Sequence, residues 1–222
     1  MHGVEIQIRK RTGELITGLF SADVIEINNE KYILSSISDI TELSQVKQKL
    51  HDMATHDALT GLPNRTLFYD RFDVAHANAQ RNAKKLAVMS LDLDKFKSIN
   101  DRFGHAVGDA VLIETAKRLV HSLRKVDTVA RFGGDEFVVL LWEVEQKDDA
   151  INVAHKIVEE FQRALPVDEH ELVLTTSIGI ALYPEDGTDA QTLLTKSDEA
   201  LYYIKEHGKN NYLLYGDMIG ST

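Results

Sequence analysis

Apolar and polar positions alternate along Val4-Glu5-Ile6-Gln7-Ile8-Arg9, which predicts a half-buried strand. A turn at Thr12-Gly13-Glu14, a β-leaning run from Leu15 to Ile27, a turn at Asn28-Asn29 and a third strand from Tyr32 to Ile37 follow. Three strands alone leave one sheet face uncovered, so this is an appendage rather than a full domain. From Thr41 to about His56 the period changes. Leu43, Val46, Leu50 and Met53 recur at intervals of three, four and three, the spacing of a coiled-coil seam. A helix packed on its own domain gives the same spacing, but a parallel dimer connector is the expectation here. Beyond it, helical and strand patterns alternate. Helices are expected from Pro63-Asn64 to about Ala83, from Gly108 to Leu123, from about Asp149 to Leu165 and from Asp189 to Glu206, the last capped by Gly208. Strands are expected at Leu86–Leu91, in a hairpin from Val129 to Leu141, at Leu172–Leu182 and at Tyr212–Tyr215. The sum is an α/β chain with a central mixed β-sheet flanked by helices and a small N-terminal β appendage.

The 222 residues hold one domain of ordinary size plus that appendage, and 43% apolar residues suffice for a packed core. Cysteine is absent, which excludes disulfides and thiolate metal sites and suits a reducing compartment. The longest apolar stretch, Phe137 to Trp142, is too short to span a bilayer, and Met1 to Lys10 has no signal-peptide core. The chain therefore reads as soluble and cytoplasmic, without membrane contact of its own, although a parent protein with membrane segments upstream fits equally. A net charge of −10 argues against a nucleic-acid surface, which needs a basic face. An anionic ligand would need metal ions and a few local lysines.

One heptapeptide carries most of the chemistry: Arg131-Phe132-Gly133-Gly134-Asp135-Glu136-Phe137. The paired glycines Gly133 and Gly134 allow a positive-φ tight turn and leave room for a phosphate. Asp135 and Glu136 leave that turn side by side, as hard oxygen ligands for Mg²⁺ on a triphosphate. An isolated GGDE reads more simply as a solvated hairpin tip. The matching segments around it change this: Asp57-Ala58-Leu59-Thr60-Gly61-Leu62-Pro63-Asn64-Arg65, then Asp92-Leu93-Asp94-Lys95-Phe96-Lys97-Ser98-Ile99-Asn100-Asp101, Gly104-His105, Gly108-Asp109, Thr176 to Ala181, and Asp198-Glu199-Ala200-Leu201-Tyr202 through Lys205. In this order and spacing, from about Asp57 to Tyr215, the chain resembles the GGDEF domains, diguanylate cyclases that condense two GTP into cyclic di-GMP. The resemblance implies a fold like nucleotidyl cyclases and polymerase palms.

The resemblance implies roles residue by residue. Asp92 and Asp135 would be metal ligands, Leu93 would join the metal set, and Glu136 would be a further ligand and the group assisting deprotonation of the 3′-hydroxyl. The competing reading of Asp92 is a strand-end cap. Asp94 is expected on the opposite face of the strand, in a structural role. Asn100 and Asp109 would read guanine. A carboxylate at Asp109 accepts from the guanine N1–H and N2–H₂ donors and repels adenine N1; a helix N-cap after Gly108 is the plainer alternative. Lys205 and Lys209 would bind phosphates, with Lys209 standing where the family has arginine, so the bidentate fork is lost. Lys97 is a further phosphate candidate or a surface lysine. Arg124-Lys125-Val126-Asp127 has the spacing of the family's product-inhibition site, with Arg124 forking onto phosphate or guanine and Asp127 accepting from guanine. His105 beside Gly104 is given no catalytic role.

The expected activity is therefore diguanylate cyclase, with Mg²⁺ (Mn²⁺ as substitute), GTP as substrate, cyclic di-GMP as product and allosteric inhibitor, and a homodimer as the active species. A catalytically weak module that only binds GTP or cyclic di-GMP is the alternative. The expected boundaries are residues 1–40 for the C-terminal strands of a PAS-like sensory domain, which the Arg11-Thr12-Gly13 and Ser38-to-Glu42 pattern resembles, 41–56 for the connector and 57–222 for the cyclase domain.

Overall fold

The computed structural model of the chain describes residues 3–167 and 170–219. It divides into two compact units, Met1–Ala54 and Thr55–Thr222. In the first, β1 (Val4–Arg9), β2 (Leu15–Ile27) and β3 (Glu30–Asp39) form an antiparallel meander. Asn28 and Asn29 turn between β2 and β3 with φ of 52° and 67°, the consecutive left-handed pair a two-residue hairpin turn requires. Helix α1 (Thr41–Thr55) begins where the Asp39 carboxylate accepts from both the backbone N–H and the hydroxyl of Thr41. Its Leu43, Val46, Leu50 and Met53 are all exposed.

The second unit runs α2 (Arg65–Asn82), β4 (Lys85–Leu93), α3 (Phe96–Phe103), α4 (His105–Ser122), β5 (Thr128–Gly133), β6 (Glu136–Val144), α5 (Lys147–Phe161), β7 (Leu165–Val167), β8 (His170–Leu172), β9 (Thr176–Tyr183), α6 (Ala190–Glu206), β10 (Tyr212–Leu214) and α7 (Tyr215–Ile219). The main sheet has the order β10-β9-β4-β6-β5. Only β10 against β9 is parallel in it, so the sheet is mixed. Strand β4 lies at its centre and is buried on both faces. Ala87, Met89 and Leu91 pack with Val111, Leu119 and Ile157 of α4 and α5. Leu86 and Val88 pack on the other face with Phe68 and Phe72 of α2 and Leu193 of α6.

Several boundaries depart from the sequence reading. Phe96 to Phe103 is a helix that the periodicity did not reveal, because eight residues between a left-handed Lys95 (φ 61°) and Gly104 (φ 84°) are too few for a clear pattern. Helix α4 starts at His105, not at Gly108. The expected single strand Leu172–Leu182 is two elements, the end of the β7–β8 hairpin and β9, with residues 173–175 in neither strand. A short helix, α7, follows β10.

Candidate active site

The site is assembled by the centre of the sheet. Asp92 is the penultimate residue of β4 and lies directly opposite Glu136, the first residue of β6. Residues opposed in register share a face, so both carboxylates join the α2/α6 side, in line with Leu86, Val88 and Ser90. Gly133 pairs with Glu136, leaving Gly134 and Asp135 as the turn. The glycines have φ of 145° and 51°, and a Cβ on either would meet nothing within 4 Å. Backbone conformation, not crowding, requires glycine at this turn.

Helix α6 brings the cation. At Gly179 of β9 an added Cβ would stand 1.9 Å from the Ser197 carbonyl oxygen and 2.4 Å from the Leu201 nitrogen, so the helix backbone lies flat on the strand. Ser90 and Ser197 fix the same crossing with a buried hydroxyl pair at 2.7 Å. Two turns further on, Lys205 Nζ reaches Asp92 Oδ2 at 2.6 Å. Burial pushes the Asp92 carboxyl above its ordinary value. The Lys205 hydrogen bond opposes that shift, and the negative charge of Asp135 adds to it.

Asp94 has a different fate. Two residues apart on a strand share a face, so the expected opposite facing is corrected: β4 ends at Leu93, and the chain turns Asp94 inward. There it is buried and accepts from Thr175 Oγ1 (2.7 Å), Ser177 Oγ (2.9 Å) and the Asn210 N–H (3.0 Å). It ties β4, β9 and the segment after α6 together behind the site. The Leu93 side chain is likewise in the core, which leaves its backbone carbonyl as its only oxygen donor.

Across the bend at Gly104, Asn100 of α3 packs on Gly108 of α4, the residue before Asp109. A Cβ at Gly108 would lie 1.8 Å from Asn100 Oδ1, so glycine there is what lets the two helices close. Asp109 lies in the second turn of α4 and is not its N-cap; that residue is Gly104. With the capping role gone, the exposed Asp109 carboxylate is free for another purpose. Lys97 is exposed on α3, and Lys209, with φ of 64°, is exposed in the loop after α6; neither is drawn to Asp92 as Lys205 is. Asp135 is half-buried in the turn and Glu136 is exposed. Among the described residues no three acidic or histidine side chains converge closely enough to cage a metal ion.

Arg124 and Asp127 stand at the far end of the hairpin. Asp127 accepts from the Arg124 N–H (3.0 Å) and the Trp142 N–H (3.2 Å), and burial raises its carboxyl above its ordinary value against these bonds. Trp142 is six residues along β6 from Glu136, about 20 Å at strand rise. Arg124 and Asp127 line a cleft of about 370 Å³ with Lys84, Trp142 and Glu145, separate from the acids.

Two features escaped the sequence reading in their function. Arg131 Nη1 bonds both oxygens of Asp57 (2.9 and 3.0 Å), and its Nε and Nη2 donate to the Gly134 carbonyl. Asp57 also holds the Thr60 N–H and hydroxyl. The loop before α2 is thus clipped to the Gly-Gly turn. The second is a cavity of about 380 Å³ in which Asp92, Glu136 and Lys205 are joined by Arg65, Tyr69, Phe132 and Tyr202.

The family profile described as the diguanylate cyclase GGDEF domain matches residues 54–211. The chain belongs to this family. Its residues are 42% identical over 175 positions to the bifunctional diguanylate cyclase/cyclic di-GMP phosphodiesterase MucR of Pseudomonas aeruginosa, covering 79% of this chain and 25% of MucR. The solved GGDEF domain of TpbB from the same species is 41% identical, with a TM-score of 0.70, over 72% of this chain and 94% of that one. The coiled coil and GGDEF domain of DgcB from Caulobacter crescentus, solved in complex with cyclic di-GMP, shares 28% identity and a TM-score of 0.69 over 79% of this chain and 93% of that one. The chain thus spans a quarter of the length of a curated relative such as MucR. Among the described residues no helix is long and apolar enough to cross a membrane.

Proposed function

We propose that the chain is a diguanylate cyclase that joins two GTP into cyclic di-GMP and releases two pyrophosphates. The observation that carries this reading is the direct opposition of Asp92 and Glu136 in the β4–β6 register with Lys205 on Asp92. In each half-reaction the 3′-hydroxyl of one GTP gives its proton to the Glu136 carboxylate, and its oxygen bonds to the α-phosphorus of the other. The bond from that phosphorus to the bridging oxygen breaks, and pyrophosphate leaves with the electron pair. The donor set fits Mg²⁺, or Mn²⁺ in its place: hard carboxylates at a spot that already holds a cation, the Lys205 ammonium. Asp92, Asp135, Glu136 and the Leu93 carbonyl would hold the metal, which would neutralise phosphate charge. Lys205, with Lys97 and Lys209, takes the terminal phosphates, and Asn100 with Asp109 takes guanine.

One domain presents one guanine site, so two GTP meet when two copies face each other, and the active species is a two-fold homodimer. The uncovered Leu43–Met53 stripe on α1 is the seam we assign to it. The N-terminal meander is assigned to the end of a PAS-like sensor, with boundaries at residues 1–40, 41–56 and 57–222, and the working compartment to the cytoplasm. A pure GTP or cyclic di-GMP receptor would have no need of the opposed acids. Pyrophosphate release from GTP with Mg²⁺ tests the reading. Wild type should turn over, and Glu136→Gln should lose about 10²-fold or more while still binding GTP. Near-normal release in the variant would remove Glu136 from the chemistry.

A further inference from the structure

The cavity beside the acids holds a second cation that no step above uses. Arg65 opens α2 and lines the same cavity as Asp92, Glu136 and Lys205. Its guanidinium lies 4.5 Å over the ring of Phe132, the residue before the Gly-Gly turn. Among the described residues no carboxylate pairs with it. An exposed arginine without a partner is ordinarily a mobile surface group, but this one is held from three directions. Phe132 is itself fixed edge-to-face on the buried Phe68, with ring centroids 5.3 Å apart. The chain just before Arg65 is bonded to the hairpin strand, Arg131 N–H to the Pro63 carbonyl at 2.9 Å. Asn64 caps α2 through its side chain, accepting from the Leu67 N–H. The backbone and the platform are therefore set before any ligand arrives.

The cavity also has a distinct chemistry. Neither Asn100 nor Asp109 lines it, so it is not the guanine site. Its walls carry Arg65 and Lys205 as cations and Asp92, Glu136 and Asp198 as acids. Asp92 and Glu136 line this cavity together with both cations, so a phosphate brought to the two acids would enter a space that Arg65 and Lys205 also border. Lysine serves as a point charge, whereas a stacked guanidinium offers a planar fork of donors that matches two phosphate oxygens.

We propose that Arg65 is a catalytic residue of the condensation, its guanidinium contacting the non-bridging oxygens of the α-phosphate as the 3′-oxygen adds and pyrophosphate departs. This rests on the cyclase reading above. Charge builds on those oxygens in the transition state, so the contact acts on turnover more than on GTP affinity.

The test uses the full chain as wild type, Arg65→Ala, Arg65→Gln and Arg65→Lys, measuring cyclic di-GMP formation, GTP affinity and melting temperature. Arg65→Ala and Arg65→Gln should each lose about 10²-fold in kcat with GTP affinity within about threefold. Added guanidinium ion should restore part of the Arg65→Ala rate, and Arg65→Lys should fall between. Turnover of Arg65→Ala within about threefold of wild type overturns the proposal. So does a rate loss that accompanies a lowered melting temperature in both neutral variants and that guanidinium leaves untouched, since Arg65 would then only brace Phe132. If wild type binds GTP but forms no product, the cyclase reading fails and affinity decides the contact. About tenfold weaker GTP binding in Arg65→Ala would then support it, and equal binding would sink it.

Discussion

Asp109 shows how a single residue changes meaning once its surroundings are known. As a helix cap its carboxylate would be spent on backbone N–H groups; inside α4, one residue beyond the Gly108 on which Asn100 packs, it is exposed to solvent. Replacing Asp109 with Ser should relax the choice of GTP over ATP by roughly 1–3 kcal/mol, because the variant lacks the acceptor we assign to guanine, which would repel adenine N1. The ratio of kcat/KM for the two nucleotides measures this, and an unmoved ratio would take Asp109 out of base reading. Asp92 and Asp94 make the complementary point. They are two residues apart and chemically identical, yet one faces Lys205 and the other is buried under three donors. The sequence showed that Asp94 is structural but gave the wrong reason, because the end of β4 at Leu93 depends on pairing with β9, which has no local signature.

At the scale of elements, the β4 run, the Gly-Gly hairpin and α6 were legible because each is long, periodic or punctuated by residues with one conformational purpose. Helix α3 and the β7–β8 hairpin were not: both are short, and tertiary packing rather than propensity holds them. The loop before α2 was legible as a motif and opaque as a device. Its purpose appears only when Arg131 reaches 74 residues back to Asp57. Burial raises the Asp57 carboxyl, but the hydrogen bonds from Thr60 and Arg131 outweigh it and hold it below its ordinary value. A depressed carboxyl adds stability above its unfolded pKa and loses it as pH falls through the folded one. Asp57→Asn should therefore cost about 1.5–3 kcal/mol at neutral pH, and the gap to wild type should close below about pH 4. Urea unfolding at the two pH values checks this; a gap of constant size would mean the pair contributes no charge-dependent stability.

For the whole molecule, the two ends of the β5–β6 hairpin carry separate candidate sites. The acids and Lys205 occupy one end, and Arg124 with Asp127 the other, about 20 Å away along the strand. Bound product at Arg124 would thus act on the arrangement of two domains rather than on the reacting groups. Asp127 already serves two backbone N–H groups, so its removal would disturb the fold, and Arg124 is the cleaner probe. Arg124→Ala should weaken inhibition by added cyclic di-GMP in progress curves while the initial rate changes little. Equal inhibition in variant and wild type would make the Arg-x-x-Asp spacing accidental.

The most direct test of the account is the identity of what the protein makes from GTP and Mg²⁺. Mass spectrometry of the nucleotide product, with pyrophosphate counted in parallel, should find cyclic di-GMP and two pyrophosphates for each molecule formed. A folded protein that binds GTP and yields GMP, GDP or no product at all would contradict it.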